Sequence, residues 1–183
     1  MNYVHRHVLE DLITGFEGSS NPHHLAVLKR PTVFSILARP GREADARDVL
    51  ANLQGVSVRI SGPGEWLVVS EDVAIDSLAR TLQDSGAGLF DAVDQSDGRV
   101  VLRLSGPQVR KILAKCLAVD LHADAFPVGA SAATQCCHAA ANLARTDQDT
   151  FELVVSRSFA GFVFEEILEM GREFAMTAGF SAG

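Results

Sequence analysis

Residues 32–70 read TVFSILARPGREADARDVLANLQGVSVRISGPGEWLVVS, and their pattern decides the fold class. Thr32–Ala38 is rich in β-branched and aromatic residues, which is typical of a strand. Glu43–Leu53 places its apolar residues on one face of a helix. Val56–Ile60 alternates apolar with polar residues, as a half-buried strand does, and Glu65–Ser70 predicts a further strand after a turn. This stretch therefore predicts the order strand, helix, strand, strand.

The next two elements complete a lobe. Val73–Gln83 carries leucines at helical spacing, and Leu89–Val93 is a short apolar segment that favours a strand. The order β-α-β-β-α-β is the ferredoxin-like arrangement, in which two helices pack on one face of a mainly antiparallel sheet.

The second half predicts another α+β lobe. Arg99–Ser105 alternates as a strand, Thr134–Arg145 and Thr150–Arg157 are predicted to pair, and a long helix is expected from Phe159 to about Phe174. The fold class is therefore α+β, with two lobes of mainly antiparallel sheet and helices on one face of each. The predicted divisions are an N-terminal arm (1–30), a first lobe (31–93), a second lobe (94–177) and a flexible tail (178–183).

Two five-residue segments of the chain are nearly identical. Arg59–Pro63 reads RISGP, and Arg103–Pro107 reads RLSGP. Both end a strand with a turn, but a strand follows the first and a helix follows the second. We interpret the echo as a shared way of ending a strand and not as an internal duplication.

The N-terminal arm and the single tryptophan are the predicted contact regions. The arm has apolar residues at helical spacing before a break rich in Gly, Ser and Pro, so we expect it to gain order by covering a partner. Tryptophan side chains dominate both cores and interfaces, so this one is expected between the lobes or at a subunit contact, with a plain core position as the alternative. The predicted interface residues are Val8, Leu12, Phe16 and Trp66.

Composition narrows the classes of function. The 183 residues carry 16 Lys and Arg against 23 Asp and Glu, a net charge of −7, so a face that grips a nucleic-acid backbone is not expected. No stretch of 18 apolar residues occurs, so no membrane span is expected. Three cysteines, two of them adjacent, do not make a secreted disulfide framework. These features predict a cytoplasmic protein.

No catalytic, cofactor-binding or metal-ligating residue is assigned to this chain. The sequence has neither a G-x-G-x-x-G behind a strand nor a G-x-x-x-x-G-K-[ST], the two glycine-rich loops that cradle dinucleotides and phosphates. Cys136, Cys137 and His138 suggest a metal, but consecutive strand residues point to alternate faces, so only Cys136 and His138 could share one. Buried thiols packed as small hydrophobic groups are the preferred interpretation.

An ordered set of short motifs resembles the gamma subunit of bacterial heterotetrameric sarcosine oxidase. The set extends over about residues 60–170, and the first 30 residues add nothing to it. Its members are Gly62–Leu67 (GPGEWL), Asp94–Arg99 (DQSDGR), Leu104–Pro107 (LSGP), Leu117–Leu121 (LAVDL), Ala125–Gly129 (AFPVG) and Ser156–Ala160 (SRSFA).

The resemblance implies a fold, partners and a reaction. The gamma subunit is similar to the folate-binding fold of the glycine-cleavage T-protein, which implies two T-protein-like lobes. The implied partners are the alpha, beta and delta subunits. The implied complex oxidises sarcosine to glycine, reduces oxygen to hydrogen peroxide and passes the one-carbon unit to tetrahydrofolate. FAD, FMN, NAD and tetrahydrofolate are then expected in the partners, and the gamma chain is a non-catalytic assembly subunit.

The sequence departs from the T-protein where that enzyme has a catalytic aspartate after a glycine turn. The matching region, 137–143, reads CHAAANL and has neither residue. The departure argues against the alternative function, a free-standing folate-binding aminomethyltransferase-like protein. A stand-alone small-molecule sensor built on ferredoxin-like lobes is a third hypothesis.

Overall fold

Two β-sheets packed back to back form the centre of the molecule, and helices cover their outer faces. The computed structural model describes residues 6–13 and 21–181. The strands are β1 (His24–Val27), β2 (Thr32–Ala38), β3 (Ser57–Gly62), β4 (Glu65–Ser70), β5 (Phe90–Asp94), β6 (Arg99–Ser105), β7 (Ser131–Cys136), β8 (Ala139–Asp147), β9 (Thr150–Ser156) and β10 (Thr177–Phe180). The helices are α1 (Glu10–Ile13), α2 (Glu43–Ala51), α3 (Ile75–Ser85), α4 (Val109–Leu113) and α5 (Ala160–Gly171).

The first lobe is the predicted ferredoxin-like unit. Its sheet has the order β3-β4-β2-β5, and every neighbouring pair is antiparallel. Buried residues of α2 (Ala46, Leu50) and α3 (Leu78, Leu82) meet one face of this sheet in a common core cluster. The α+β prediction is confirmed, because local alternation and helical spacing were enough to specify these elements.

The second lobe has a six-stranded sheet with the order β10-β1-β6-β9-β8-β7. Helices α4 and α5 cover one face of it and bury the largest core cluster. The single strand predicted over 134–145 is wrong, because β7 and β8 are separate strands joined by a two-residue turn. Both turn residues have positive φ, 48° at Cys137 and 74° at His138. Hairpin turns of this kind normally use Asn or Gly, so Cys-His gave no turn signal.

The predicted arm and tail boundaries are wrong at β1 and β10. Strand β1, inside the predicted arm, pairs antiparallel with β6 and parallel with β10. Most of β10 (Thr177–Phe180) lies inside the predicted tail. Both strands are only four residues long and depend on pairing between opposite ends of the chain, which no local pattern reveals.

The two sheets meet through alternate residues of their strands. Val33 of β2 and Leu67 of β4 lie against Val101 of β6 and Val154 of β9, with Leu28 and Val69 in the same buried cluster. The intervening residues of these strands point outwards to the helices. Each sheet is therefore buried on both faces where the lobes overlap, and the overlap forms a seam between the lobes.

Candidate functional site

The seam between the lobes contains a chain of charged side chains, of which Arg59 and Glu152 are buried. The Arg59 guanidinium of β3, with 1% of its side chain exposed, donates to Glu152 Oε2 of β9. Arg103 Nε donates to the other oxygen, Glu152 Oε1, at 2.8 Å, and Arg103 Nη2 donates to Glu71 Oε2 at 2.7 Å. The arginines of the two echoed motifs thus meet on one carboxylate. A shared strand ending does not explain that convergence, which links strands of both lobes.

Burial and ion pairing shift the pKa values of this network in opposite directions. Burial is the largest influence on the pKa of Arg59 and lowers it, while attraction and hydrogen bonding to Glu152 oppose that shift. Burial alone would raise the pKa of Glu71, but hydrogen bonds from Arg103 and Ser181 hold it below its ordinary value. The Arg59–Glu152 pair links β3 of the first lobe to β9 of the second.

The seam also engages the segment that corresponds to the T-protein aspartate turn. Within 137–143, Asn142 of β8 is buried and its Nδ2 donates to the Ile60 carbonyl of β3 at 2.7 Å. The Ile60 amide donates to Ser131 Oγ of β7 at 2.9 Å. Strand β8 therefore contacts the first lobe at this position, and the Asn142 side chain forms a hydrogen bond between the lobes.

A basic pocket of about 240 Å³ lies beside the β1–β2 loop. Lys29 and Arg30 come from that loop, Arg99 from the start of β6, and Arg157 from the turn that follows β9, with Asp97 as the acidic residue. Arg99 Nη1 donates to Ser156 Oγ at 3.3 Å. Within the described residues, the side chains of Arg30 and Arg157 form no ion pair. The pocket is a concentrated positive site on a chain of net charge −7.

The predicted interface residues of the arm have different environments. Val8 is 41% exposed, while Leu12 is half-buried and lines a groove of about 340 Å³ beside α5. Leu9 and Ile13, their neighbours, are buried in the core of the second lobe. Phe16 lies outside the described residues. Leu9 and Ile13 therefore gain their order by covering the chain's own core, while the contact of Val8, Leu12 and Phe16 with a partner stays a prediction.

Trp66 lies in the core of the first lobe. Its side chain is 8% exposed and belongs to the cluster that α2 and α3 cover. Strand alternation turns Trp66 towards the helices and its neighbour Leu67 towards the seam. The core alternative describes this side chain in the isolated chain, and a subunit contact at Trp66 stays a prediction.

The three cysteines converge, which the sequence did not reveal. The sulfur atoms of Cys116, Cys136 and Cys137 lie within 4.8 Å of one another, and all three are free. The expectation that Cys136 shares a face with His138 is wrong, because the tight turn places Cys137 beside Cys116. A hydrogen bond to Cys136 lowers the pKa of Cys116, whereas burial raises the pKa of Cys137 to about 11. Only the turn geometry could have indicated this cluster.

Among the described residues, no helix is long and apolar enough to cross a membrane.

Two lobes joined sheet to sheet, the first of them ferredoxin-like, define a two-lobed α+β protein. The fold is similar to the glycine cleavage system aminomethyltransferase T from Bartonella henselae, with 13% identity, a TM-score of 0.61 and coverage of 91% of this chain and 50% of that one. It is also similar to a chain of the heterotetrameric sarcosine oxidase from Corynebacterium sp. U-96 in complex with pyrrole 2-carboxylate, with 23% identity, a TM-score of 0.79 and coverage of 93% and 96%. Residues 41–171 match the sarcosine oxidase, gamma subunit family. The chain belongs to that family.

Curated relatives have the same family name. The sarcosine oxidase subunit gamma of Corynebacterium sp. (strain U-96) is 28% identical over 138 residues, which cover 74% of this chain and 65% of the relative. The sarcosine oxidase subunit gamma of Arthrobacter sp. is 29% identical over 129 residues, which cover 70% and 63%. The chain thus spans somewhat less than two thirds of the relatives that it matches. These relatives are named as subunits and give no support to the free-standing alternative.

Proposed function

We propose that the chain is the gamma subunit of a heterotetrameric sarcosine oxidase and acts in assembly. The observation that carries the proposal is the match of residues 41–171 to the gamma-subunit family. The buried seam supports it, because Asn142 and Glu152 serve to hold the two lobes together. Such a chain supplies a rigid two-lobed body for other subunits to pack against.

The proposed partners are the alpha, beta and delta subunits. The complex would oxidise sarcosine to glycine, reduce oxygen to hydrogen peroxide and transfer the one-carbon unit to tetrahydrofolate. Amine oxidation needs a cofactor that accepts electrons, and FAD, FMN, NAD and tetrahydrofolate are proposed to lie in the partners. The three free thiols fit the reducing cytoplasm, where the complex is proposed to work.

Co-expression of all four subunits from one source tests this assignment. We expect the purified chain alone to be colourless and inactive with sarcosine, because its electron acceptors lie in the partners. Co-expression should yield a complex that contains the chain in equal proportion and forms peroxide from sarcosine. Visible flavin absorbance in the isolated chain, or an active oxidase that assembles without it, contradicts the proposal.

The basic pocket is the proposed docking point for an acidic segment of a partner subunit. Lys29, Arg30, Arg99 and Arg157 surround a concave space, and Asp97 is the acidic residue among the described residues that line it. Glu10 lies beside Lys29 and Arg30 in the adjoining pocket. Elsewhere on the described surface, exposed arginines such as Arg39 and Arg42 already pair with aspartates of this chain. Arg30 and Arg157 therefore have charge available for a carboxylate, which arginine binds through two parallel hydrogen bonds.

Charge reversal in the pocket should weaken assembly. We expect Arg30→Glu with Arg157→Glu to reduce the affinity for the partner subunits at least about tenfold and to reduce its salt dependence, because like charges then face each other. The matched control is Arg47→Glu with Arg80→Glu, which makes the same charge change on the exposed faces of α2 and α3. Surface plasmon resonance at two salt concentrations measures both. Equal weakening by the control, or normal affinity of the pocket variant, rules out docking at this pocket.

A further inference from the structure

Every cysteine of this chain contributes to one cluster. The three cysteines occupy positions 116, 136 and 137, and their sulfur atoms lie within 4.8 Å of one another. A Zn–S bond is about 2.3 Å long, so sulfurs that share one ion lie roughly 4 Å apart. A small closure of the cluster therefore brings the three sulfurs to the spacing that a bound ion requires.

Backbone contacts hold the cluster together from two separate segments. Cys116 follows helix α4, and its carbonyl accepts a hydrogen bond from the Cys137 amide at 3.0 Å. The adjacent Leu117 pairs with Cys136 in an antiparallel bridge. The cluster is thus fixed by main-chain bonds and does not depend on side-chain rotamers alone.

The geometry of the β7–β8 turn does not explain why Cys and His occupy it. Cys137 and His138 both have positive φ, a conformation that Asn or Gly adopts at lower cost. The strained conformation turns the Cys137 sulfur towards the other two. Cys136 is fully buried, Cys116 nearly so and Cys137 half-buried, so the cluster has one side that an ion can reach from solvent.

We propose that Cys116, Cys136 and Cys137 bind one thiophilic d¹⁰ metal ion, Zn(II) or Cu(I), through their three thiolates. Thiolates select these ions over hard cations. Cu(I) is satisfied by three sulfurs, whereas Zn(II) takes a fourth ligand, for which the half-buried side of Cys137 leaves an open position. Bound metal would tie the β7–β8 hairpin to the end of α4.

Metal titration of the reduced, metal-free full-length chain tests the proposal. Co(II), as a spectroscopic stand-in for Zn(II), should give thiolate charge-transfer absorption that saturates at one ion per chain and is displaced by Zn(II). An anaerobic titration with Cu(I) against a chromophoric chelator forms the second arm. The metal that binds more tightly at one ion per chain is assigned to the site, and either assignment supports the proposal.

Two substitutions in the same turn distinguish a metal-binding site from three thiols that are only packed together. Cys137→Ser removes a ligand and should weaken binding more than about 100-fold, beyond the effect usual for outer-shell partners. His138→Asn removes the imidazole, suits positive φ and should leave the affinity unchanged. Cys116→Ser, with the fold checked by circular dichroism, repeats the test away from the turn. Failure of both metals to bind at one ion per chain, or unchanged affinity in both serine variants, overturns the proposal.

Discussion

Replacing Glu152 with alanine should lower the free energy of unfolding by about 3–5 kcal/mol, because it leaves a charged guanidinium buried without a partner. Arg59 is almost fully buried, and Glu152 is its only carboxylate among the described residues. The variant also removes one of the two acceptors of Arg103, although that side chain keeps Glu71 and reaches solvent. Most of the loss therefore comes from Arg59.

An exposed ion pair provides the matched control. Arg39, just after β2, and Asp91 of β5 form a surface pair at 3.1 Å. Asp91→Ala removes a carboxylate of the same kind and should cost less than about 1 kcal/mol, because solvent screens the pair. The contrast isolates the effect of burial from the effect of losing an acid.

The double variant Arg59→Met with Glu152→Leu tests the cause. Apolar side chains of similar size fill the seam without leaving a charge, so this variant should regain most of the stability that Glu152→Ala loses. Urea unfolding followed by circular dichroism gives all three values. If Glu152→Ala costs no more than Asp91→Ala, or if the double variant is as unstable as the single one, the seam is not a charge clamp.

The first lobe and the start of the second were predictable because their signals are local. Glu65–Ser70 and Arg99–Ser105 were predicted with the limits that β4 and β6 have, since strand alternation and flanking turns lie within a few residues. The helix predicted over Glu43–Leu53 ends two residues earlier, at Ala51, where the helix frays into a turn. Period and turn chemistry were sufficient where the turns carry Gly or Pro, as in the Ser61–Gly64 turn between β3 and β4.

The site depends on contacts between distant parts of the chain. Arg59 and Glu152 are 93 residues apart, and nothing near either residue indicates the other. Strand β1 joins the sheet through partners near residues 103 and 178, so its four residues gave no signal of their own. A sequence pattern can specify which residues face inwards, but it cannot specify which lobe they will meet.

The thiol cluster shows a different limit. Alternation along a continuous strand placed Cys136 and His138 on one face, and the inference was sound for a strand. It was wrong because the chain reverses at Cys137 and His138 through a conformation that their side chains do not favour. Local rules are least informative where the backbone is held in a costly conformation by contacts from elsewhere, here with Cys116.

Replacing Trp66 with alanine should lower the free energy of unfolding of the isolated chain by about 3–5 kcal/mol. The indole fills the space between β4 and the helices α2 and α3, and its removal leaves a cavity too large for the surrounding side chains to close. Trp66→Phe keeps an aromatic ring in the same space and should cost less. Circular dichroism must follow the unfolding, because this is the only tryptophan of the chain and the variants lose its fluorescence.

Leu37→Ala is the matched control for Trp66→Ala, since it also removes a large apolar side chain from the same sheet. Leu37 is 54% exposed, so its truncation should change the stability by less than about 0.5 kcal/mol. Affinity for the partner subunits, measured well below the melting temperature of each variant, should stay unchanged in Trp66→Phe because the side chain faces the chain's own helices. An unchanged melting temperature of Trp66→Ala together with a loss of affinity would place the indole at a subunit contact and refute the core assignment.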